Sequence, residues 1–230
     1  LHSQPVLNLQ GESRELYEAY LRLDHNGELM SPVAFLAIAE EHGLLADINR
    51  WVVRRAIAIL GERQRAGHAT HMLVKITPES FADPLLISTL KQELQAHGVP
   101  GDRLWLHAPE SKVFTHLRNA QQFLQAVAPL GCRIGLEQFG SGLDSFQLLA
   151  HFQPQFLKLD RGFTRDAAST RENFDKIKEI TERAQAANIA TVAEFVTDAN
   201  SMTLLFSAGV DYVQGEFVGE ATPRMDFDFG

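Results

Sequence analysis

Between Ser31 and Val213 the sequence alternates six times between helical and extended periodicity, and this alternation constrains the fold more than any other feature. Ser31-Pro32 reads as a helix cap followed by the first helical position, and Gly43 as the stop. Ile48, Trp51, Val52, Ala56, Ile59 and Leu60 form a helical stripe that ends before Gly67. Leu86, Leu90 and Leu94 mark a helix stopped at Gly98. Thr115 is expected to cap a helix carrying Leu117, Ala120, Leu124 and Ala128, stopped at Gly131. Ser169-x-x-Glu172 reads as a capping box opening a helix with Phe174, Ile177, Ile180, Ala184 and Ala187 on one face. Shorter helices fall at 145–150 and 198–207, and strands at 71–76, 103–107, 133–137, 155–159, 189–194 and 211–213.

Two further extended segments, 4–9 and 16–23, precede this alternation, separated by the turn-forming Gln10-Gly11-Glu12-Ser13. So short a connection permits only antiparallel pairing, because a parallel pair needs a long crossover. The pattern predicts an α/β fold, a TIM-like (β/α)8 barrel whose first strand runs antiparallel. An open doubly wound sheet is the alternative. No Gly-rich dinucleotide loop follows an early strand, which weakens that alternative.

The 230 residues are 45% apolar, enough for a substantial core without disulfides or structural metal. With 21 Lys and Arg against 29 Asp and Glu, the net charge of −8 argues against a DNA or general polyanion binder. A small anionic ligand would need local cations. The single Cys132, opening an apolar strand, reads as a buried inert thiol and fits a reducing compartment. No run has the ~18 apolar residues of a membrane span, and no signal peptide opens the chain, so membrane insertion is not expected. Residues 1–230 read as one domain of a longer, multidomain polypeptide, since the chain opens at Leu1 in a strand-like segment.

In such barrels the functional groups gather at the C-terminal ends of the strands. Those ends carry Glu18 and Arg22, then Lys75, His107, Glu137 with Gln138, Lys158 with Asp160, Glu194 with Phe195, and Gln214 with Glu216. This ring of acids, one histidine and the cations Arg22, Lys75 and Lys158 either holds a divalent metal or is an internally neutralised remnant of a metal site. Lys75 is expected to act as a tethered cation for Glu18 and Glu137.

Gln4-Pro5-Val6, Glu18-Ala19-Tyr20-Leu21-Arg22, Ala39-Glu40-Glu41-His42-Gly43-Leu44, Trp51-Val52-Val53, Phe139-Gly140-Ser141-Gly142, Lys158-Leu159-Asp160, Ala193-Glu194 and Gln214-Gly215 occur in order along nearly the whole chain. Together they resemble the EAL domain family, the cyclic di-GMP phosphodiesterases. The resemblance implies an eight-stranded barrel with an antiparallel first strand and, in active members, two Mg²⁺ or Mn²⁺ ions.

The departures bear on activity. Glu18, Lys158, Asp160 and Glu194 keep the family's residue types. Lys75 stands where the family has Asn, His107 where it has a metal-binding Glu, and Glu137-Gln138 where it has Asp-Asp. Phe195 replaces a Gly and Thr197 a Glu. Mg²⁺ needs near-octahedral oxygen ligands at ~2.0–2.1 Å, and an ammonium has no lone pair to offer. Glu18, Lys75, His107, Glu137, Gln138 and Lys158 therefore read as a degenerate former metal site, with no Mg or Mn cofactor expected. Water without a metal keeps a pKa near ~15.7 rather than ~7, so catalysis is not expected.

Ligand recognition survives that loss in the resemblance. Gln4, Leu21, Arg22, Asp160, Glu194 and Gln214 match positions lining the family's cyclic di-GMP groove. Arg22 suits a phosphate, Glu194 the N1–H and N2–H of a guanine, and Phe195 a stacked base. Asn49 stands where the family often has a base-reading Asp. Ala193-Glu194-Phe195-Val196, Gln214-Gly215-Glu216-Phe217-Val218 and Met225-Asp226-Phe227-Asp228-Phe229 further resemble the non-catalytic EAL domains of type IV pilus regulators. That implies a PilZ-domain partner protein, upstream sensor and GGDEF-like domains in the same chain, and a cytoplasmic location, at the cell pole through partners. The alternatives are a phosphodiesterase with a rearranged metal site using His107 and Mn²⁺, and a scaffold that binds no nucleotide. The Asp226–Phe229 segment reads either as an added edge strand or partner dock, or as a frayed terminus.

Overall fold

Residues 2–8 pair on both of their sides, and this closes the sheet on itself. The structure, a computed structural model, describes residues 1–142, 144–164 and 170–230. Strand β1 (His2–Pro5) runs antiparallel to β3 (Leu16–Tyr20), with Gln4 opposite Glu18. Strand β2 (Leu7–Asn8), two residues further on, runs antiparallel to the last strand, β11 (Tyr212–Val213). Between these edges β3, β6 (His71–Lys75), β7 (Leu104–Pro109), β8 (Arg133–Phe139), β9 (Phe156–Leu159), β10 (Ala190–Ala193) and β11 are parallel neighbours in that order. Counting β1 and β2 as one strand interrupted at Val6 gives the eight-membered barrel, and closure excludes the open doubly wound sheet.

The crossovers are helical. They comprise α1 (Pro32–Glu41) and α2 (Leu45–Arg65), α3 (Pro84–His97), α4 (Glu110–Thr115) with α5 (Leu117–Val127), and α6 (Ser145–Leu149). After β9 come α7 (Arg161–Thr164) and α8 (Arg171–Ala186), and α9 (Ala199–Ser207) follows β10. Their apolar stripes pack on the outer faces of the strands. Val53, Ala56, Ile57 and Leu60 of α2 and Ile177, Ile180 and Ala184 of α8 are buried there.

Several local expectations are corrected. Thr115 ends α4 rather than capping the next helix, and His116 takes the cap position of α5. Ser169 lies outside the described residues; the cap of α8 is Thr170, whose hydroxyl accepts from the Asn173 amide. The second extended segment stops at Tyr20. Residues 23–30 instead form a separate hairpin, β4 (Leu23–His25) with β5 (Glu28–Met30), turned at Asn26-Gly27. The terminus is not frayed. Thr222 pairs with Ser3 and the Tyr17 hydroxyl accepts from the Phe227 amide at 3.1 Å. The Phe229 ring meets Tyr17 edge-on at 5.2 Å. Cys132 is buried as expected, and burial pushes its thiol pKa up to about 12, which leaves it inert at neutral pH.

Inside the barrel the two-residue period of a strand builds two layers. The lower layer contains Val6, Leu16, Leu73, Trp105, Phe156, Val192 and Tyr212, all buried against one another. Gly135 supplies the eighth position without a side chain. A Cβ there would stand 2.4 Å from the Phe156 ring, so glycine is what lets the aromatic fill the axis. Two residues further toward the mouth on each strand come Gln4, Glu18, Lys75, His107, Glu137, Lys158, Glu194 and Gln214. The sheet thus stacks a charged layer directly on an apolar floor.

Candidate functional site

The charged layer is cross-linked by its own ion pairs. Lys158, 1% exposed, places Nζ 2.7 Å from both carboxylate oxygens of Glu18 and 2.9 Å from Glu194 Oε1. His107, fully buried, sets Nε2 3.1 Å from Glu18 Oε1 and Nδ1 3.0 Å from Glu137 Oε2. Lys75 Nζ lies 2.5 Å from Glu137 Oε1. The His107 contacts are not aligned as good hydrogen bonds, so their attraction is chiefly electrostatic. Every carboxylate oxygen of Glu18 and Glu137 faces a donor from the chain itself, since the Tyr20 hydroxyl approaches Glu18 Oε2 at 3.4 Å. The expectation that Lys75 satisfies both acids is corrected: it reaches across β7 to Glu137 alone, while Glu18 on the adjacent β3 is held by Lys158 and His107.

The titration directions agree with this packing. Burial pushes the Glu18 carboxyl upward, but the Lys158 charge and His107 outweigh it and hold it well below the usual carboxylate range. Burial is likewise overcome at Glu137, where His107 and then Lys75 bring the pKa down to about 2. His107 is opposed by burial and by Lys158, yet Glu137 and Glu18 still raise it. Lys158 is raised by Glu18 and Glu194 despite its burial. Glu194 is pulled two ways: burial raises it, and the Lys158 ammonium lowers it less.

A bulge interrupts β8 beside Glu137. Leu136 pairs with Leu157 and Phe139 with Leu159, so Glu137 and Gln138 oppose the single Lys158. Gln138 absorbs the bulge at φ 55° and its side chain is exposed, outside the ion cluster. Phe195 also lies in the left-handed region, at φ 62°, two residues after β10. That explains physically why a glycine suits this position, and the phenyl ring stays 44% exposed at the mouth. Gly215 makes the approach of the next loop possible: a Cβ would come within 2.3 Å of the Val196 backbone.

Two cavities open beside the layer, flanked by consecutive residues at the end of β3. One, of about 170 Å³, is lined by Gln4, Tyr20, Glu194, Phe195, Gln214 and Glu216. Its polar wall is a relay: Gln4 Nε2 donates to the Gly219 carbonyl, and Gln214 Nε2 donates to Gln4 Oε1 and to the Tyr20 hydroxyl. The other, of about 820 Å³, is largely apolar and includes Leu21, Arg22, Phe35, Ile38, Leu44 and Trp51. Arg22 bonds the Leu21 carbonyl at 2.8 Å and lies over the Tyr20 ring, with no carboxylate partner among the described residues.

Two predicted ligand residues make local hydrogen bonds. Asn49 is buried, and its amide donates to Thr77 Oγ1 at 2.7 Å and accepts from the Thr77 amide, so it ties α2 to the loop after β6. Asp160 Oδ1 accepts from the Gly162 amide and opens α7. Tyr20 was missed at the sequence level. The signal was present, because it lies two residues after Glu18 and therefore on the same face of β3.

Comparison with known proteins decides the family. The EAL domain model matches residues 1–221. This chain is a member of the EAL domain family. It is 67% identical to the FimX EAL domain of Xanthomonas citri in its complex with c-diGMP, covering all of this chain and 90% of that one, with a TM-score of 0.97. The FimX EAL domain from Pseudomonas aeruginosa, also bound to c-di-GMP, is 33% identical with a TM-score of 0.93, over all of this chain and 93% of that one. The cyclic di-GMP phosphodiesterase PdeF of Escherichia coli is 29% identical over 98% of this chain and 30% of its own length. The chain thus spans about a third of the length of such curated relatives. No described helix is long and apolar enough to cross a membrane.

Proposed function

We propose that this domain is a cyclic di-GMP receptor without phosphodiesterase turnover, which relays binding to a partner protein. The observation that carries the reading is that His107 and Lys75, which stand where the family has Glu and Asn, pair with the carboxylates on which a metal site would depend. An incoming Mg²⁺ or Mn²⁺ would have to displace the fully buried imidazole of His107 and the Lys75 ammonium on Glu137, and Gln138 offers only an exposed neutral amide. The residues present do not fit the two-metal centre of active relatives. Without it the reactive hydroxide is scarcer by roughly eight or nine orders of magnitude, which one basic side chain does not restore.

The groove supports recognition instead. The smaller cavity presents the Glu194 carboxylate beside the Phe195 ring, an acceptor next to a stackable face, which suits a guanine edge. Arg22 lines the larger apolar cavity and supplies a cation suited to a phosphate. The two FimX domains similar to this chain hold c-di-GMP. The exposed apolar side chains of Leu23, Ile38, Leu44 and Trp51 lining the large groove favour a protein partner, and a PilZ-domain protein is the partner of this proposal. Upstream sensor and GGDEF-like domains, type IV pilus control and a cytoplasmic, polar location belong to the same proposal.

A second reading, a Mn²⁺-dependent phosphodiesterase, is favoured by the relatives so named and by the retained Glu18, Lys158 and Glu194. Calorimetric titration with cyclic di-GMP, with and without Mn²⁺, followed by chromatography of the nucleotide, separates the two. Metal-independent binding with intact nucleotide is expected. Accumulating linear dinucleotide would establish the second reading, and no binding would leave a scaffold. Arg22→Ala should weaken binding by ~10-fold, the loss of one charge-assisted phosphate contact.

A further inference from the structure

The ion pairs of the mouth form one chain of alternating sign. It runs Lys75, Glu137, His107, Glu18, Lys158, Glu194, with each link between 2.5 and 3.1 Å. The six residues come from β6, β8, β7, β3, β9 and the end of β10, so the chain ties together most of the barrel's parallel strands. With all six ionised, three positive charges balance three negative ones. His107 is the central link. A neutral imidazole would turn a ring lone pair toward a carboxylate on one side; an imidazolium is attracted on both.

We infer that His107 is a positioning residue that performs, as a fixed protein cation, the work of an inner-barrel divalent ion: it holds Glu18 and Glu137 and, through Glu18 and Lys158, aims Glu194 into the ligand cavity. The inference deepens the receptor reading and names the residue on which metal-independent binding rests. It has a stoichiometric consequence. Replacing His107 by an acid leaves four negative charges and two positive ones, and a single divalent cation restores the balance. A latent metal site should therefore appear from one substitution, between Glu18, Glu137 and the new carboxylate.

The test uses the 230-residue chain and its His107→Glu and His107→Gln variants, with Mn²⁺ alone and with cyclic di-GMP. Thermal unfolding and Mn²⁺ paramagnetic resonance should show no Mn²⁺ response in the parent and binding of one ion per chain by His107→Glu. Cyclic di-GMP affinity of His107→Glu should fall ~10-fold in metal-free buffer and recover with Mn²⁺, whereas His107→Gln should lose affinity without recovery. A parent that itself binds Mn²⁺ overturns the inference, as does a His107→Glu variant indifferent to it. If His107→Glu is unfolded without metal, recovery of its circular dichroism on adding Mn²⁺ supports the inference and no recovery overturns it. Should the parent bind no cyclic di-GMP, the receptor reading falls while the Mn²⁺ arm still decides the role of His107.

Discussion

At the scale of single residues, Phe195 and Glu137 show how position sets function. Phe195 occupies a left-handed conformation that costs a side-chain-bearing residue about 1 kcal/mol or more, yet its ring stays partly exposed and earns back little by burial. Phe195→Gly should therefore leave the melting temperature unchanged or slightly higher while weakening cyclic di-GMP by ~10-fold through the lost stacking face. Differential scanning calorimetry and titration on the same preparation read both halves; a drop in stability would show that the ring serves the core. Glu137 has its folded pKa lowered to about 2, from an ordinary value of 4.5. A depressed carboxylate stabilises the fold above its unfolded pKa and loses that contribution as pH falls through the folded one. Stability supplied by Glu137, on the order of 3 kcal/mol, should be complete above about pH 4.5 and vanish toward pH 2. Urea titrations of the parent and Glu137→Gln across that window should converge at the acid end.

Among elements, the loops after β10 and β11 act as a pair. The Val196 amide donates to the Gln214 carbonyl, and the Phe217 amide to that of Val196, so the backbone carrying Glu194 and Phe195 is laced to the one carrying Gln214. Gly215 is the point of closest approach. Gly215→Ala should force those loops apart at a cost of roughly 2–3 kcal/mol and lower ligand affinity more than Phe195→Gly, since it misplaces both walls of the small cavity. Calorimetry and titration of that variant measure the two losses; an affinity equal to the parent's would remove the loop pair from the binding machinery. Asn49 illustrates the opposite case. Its motif position pointed to base reading, but helix α2 turns it onto Thr77, and no local pattern shows which way a buried amide faces.

For the molecule as a whole, closure depends on nine N-terminal residues. Val6 donates to the Leu16 carbonyl on one side and Leu9 to that of Asp211 on the other. Deleting residues 1–9 should expose the edges of β3 and β11 and abolish cooperative unfolding and the sharp elution of a compact species. Deleting 223–230 should be milder. It removes the Phe227–Tyr17 and Met225–Arg63 hydrogen bonds and the Phe229 ring, worth roughly 1–3 kcal/mol together, or a fall of about 3–10 °C in melting temperature. If the short deletion unfolds the domain as completely as the long one, the terminal segment is part of the barrel's closure rather than a strap across it.

The strand count, the helix–strand alternation and the residues at the strand ends were legible in the chain because they follow from local periodicity: a side chain two positions along a strand returns to the same face, whatever surrounds it. Leu16 with Glu18, Trp105 with His107 and Phe156 with Lys158 repeat that offset, and the layering could be read from it. What the tertiary structure alone decided is pairing. That His107 bridges Glu18 and Glu137, that Lys75 reaches only Glu137, and that Gln138 turns outward depend on the order of strands around the ring and on one bulge. Charge attraction at about 3 Å is a property of distances across the barrel, and those distances are set by closure.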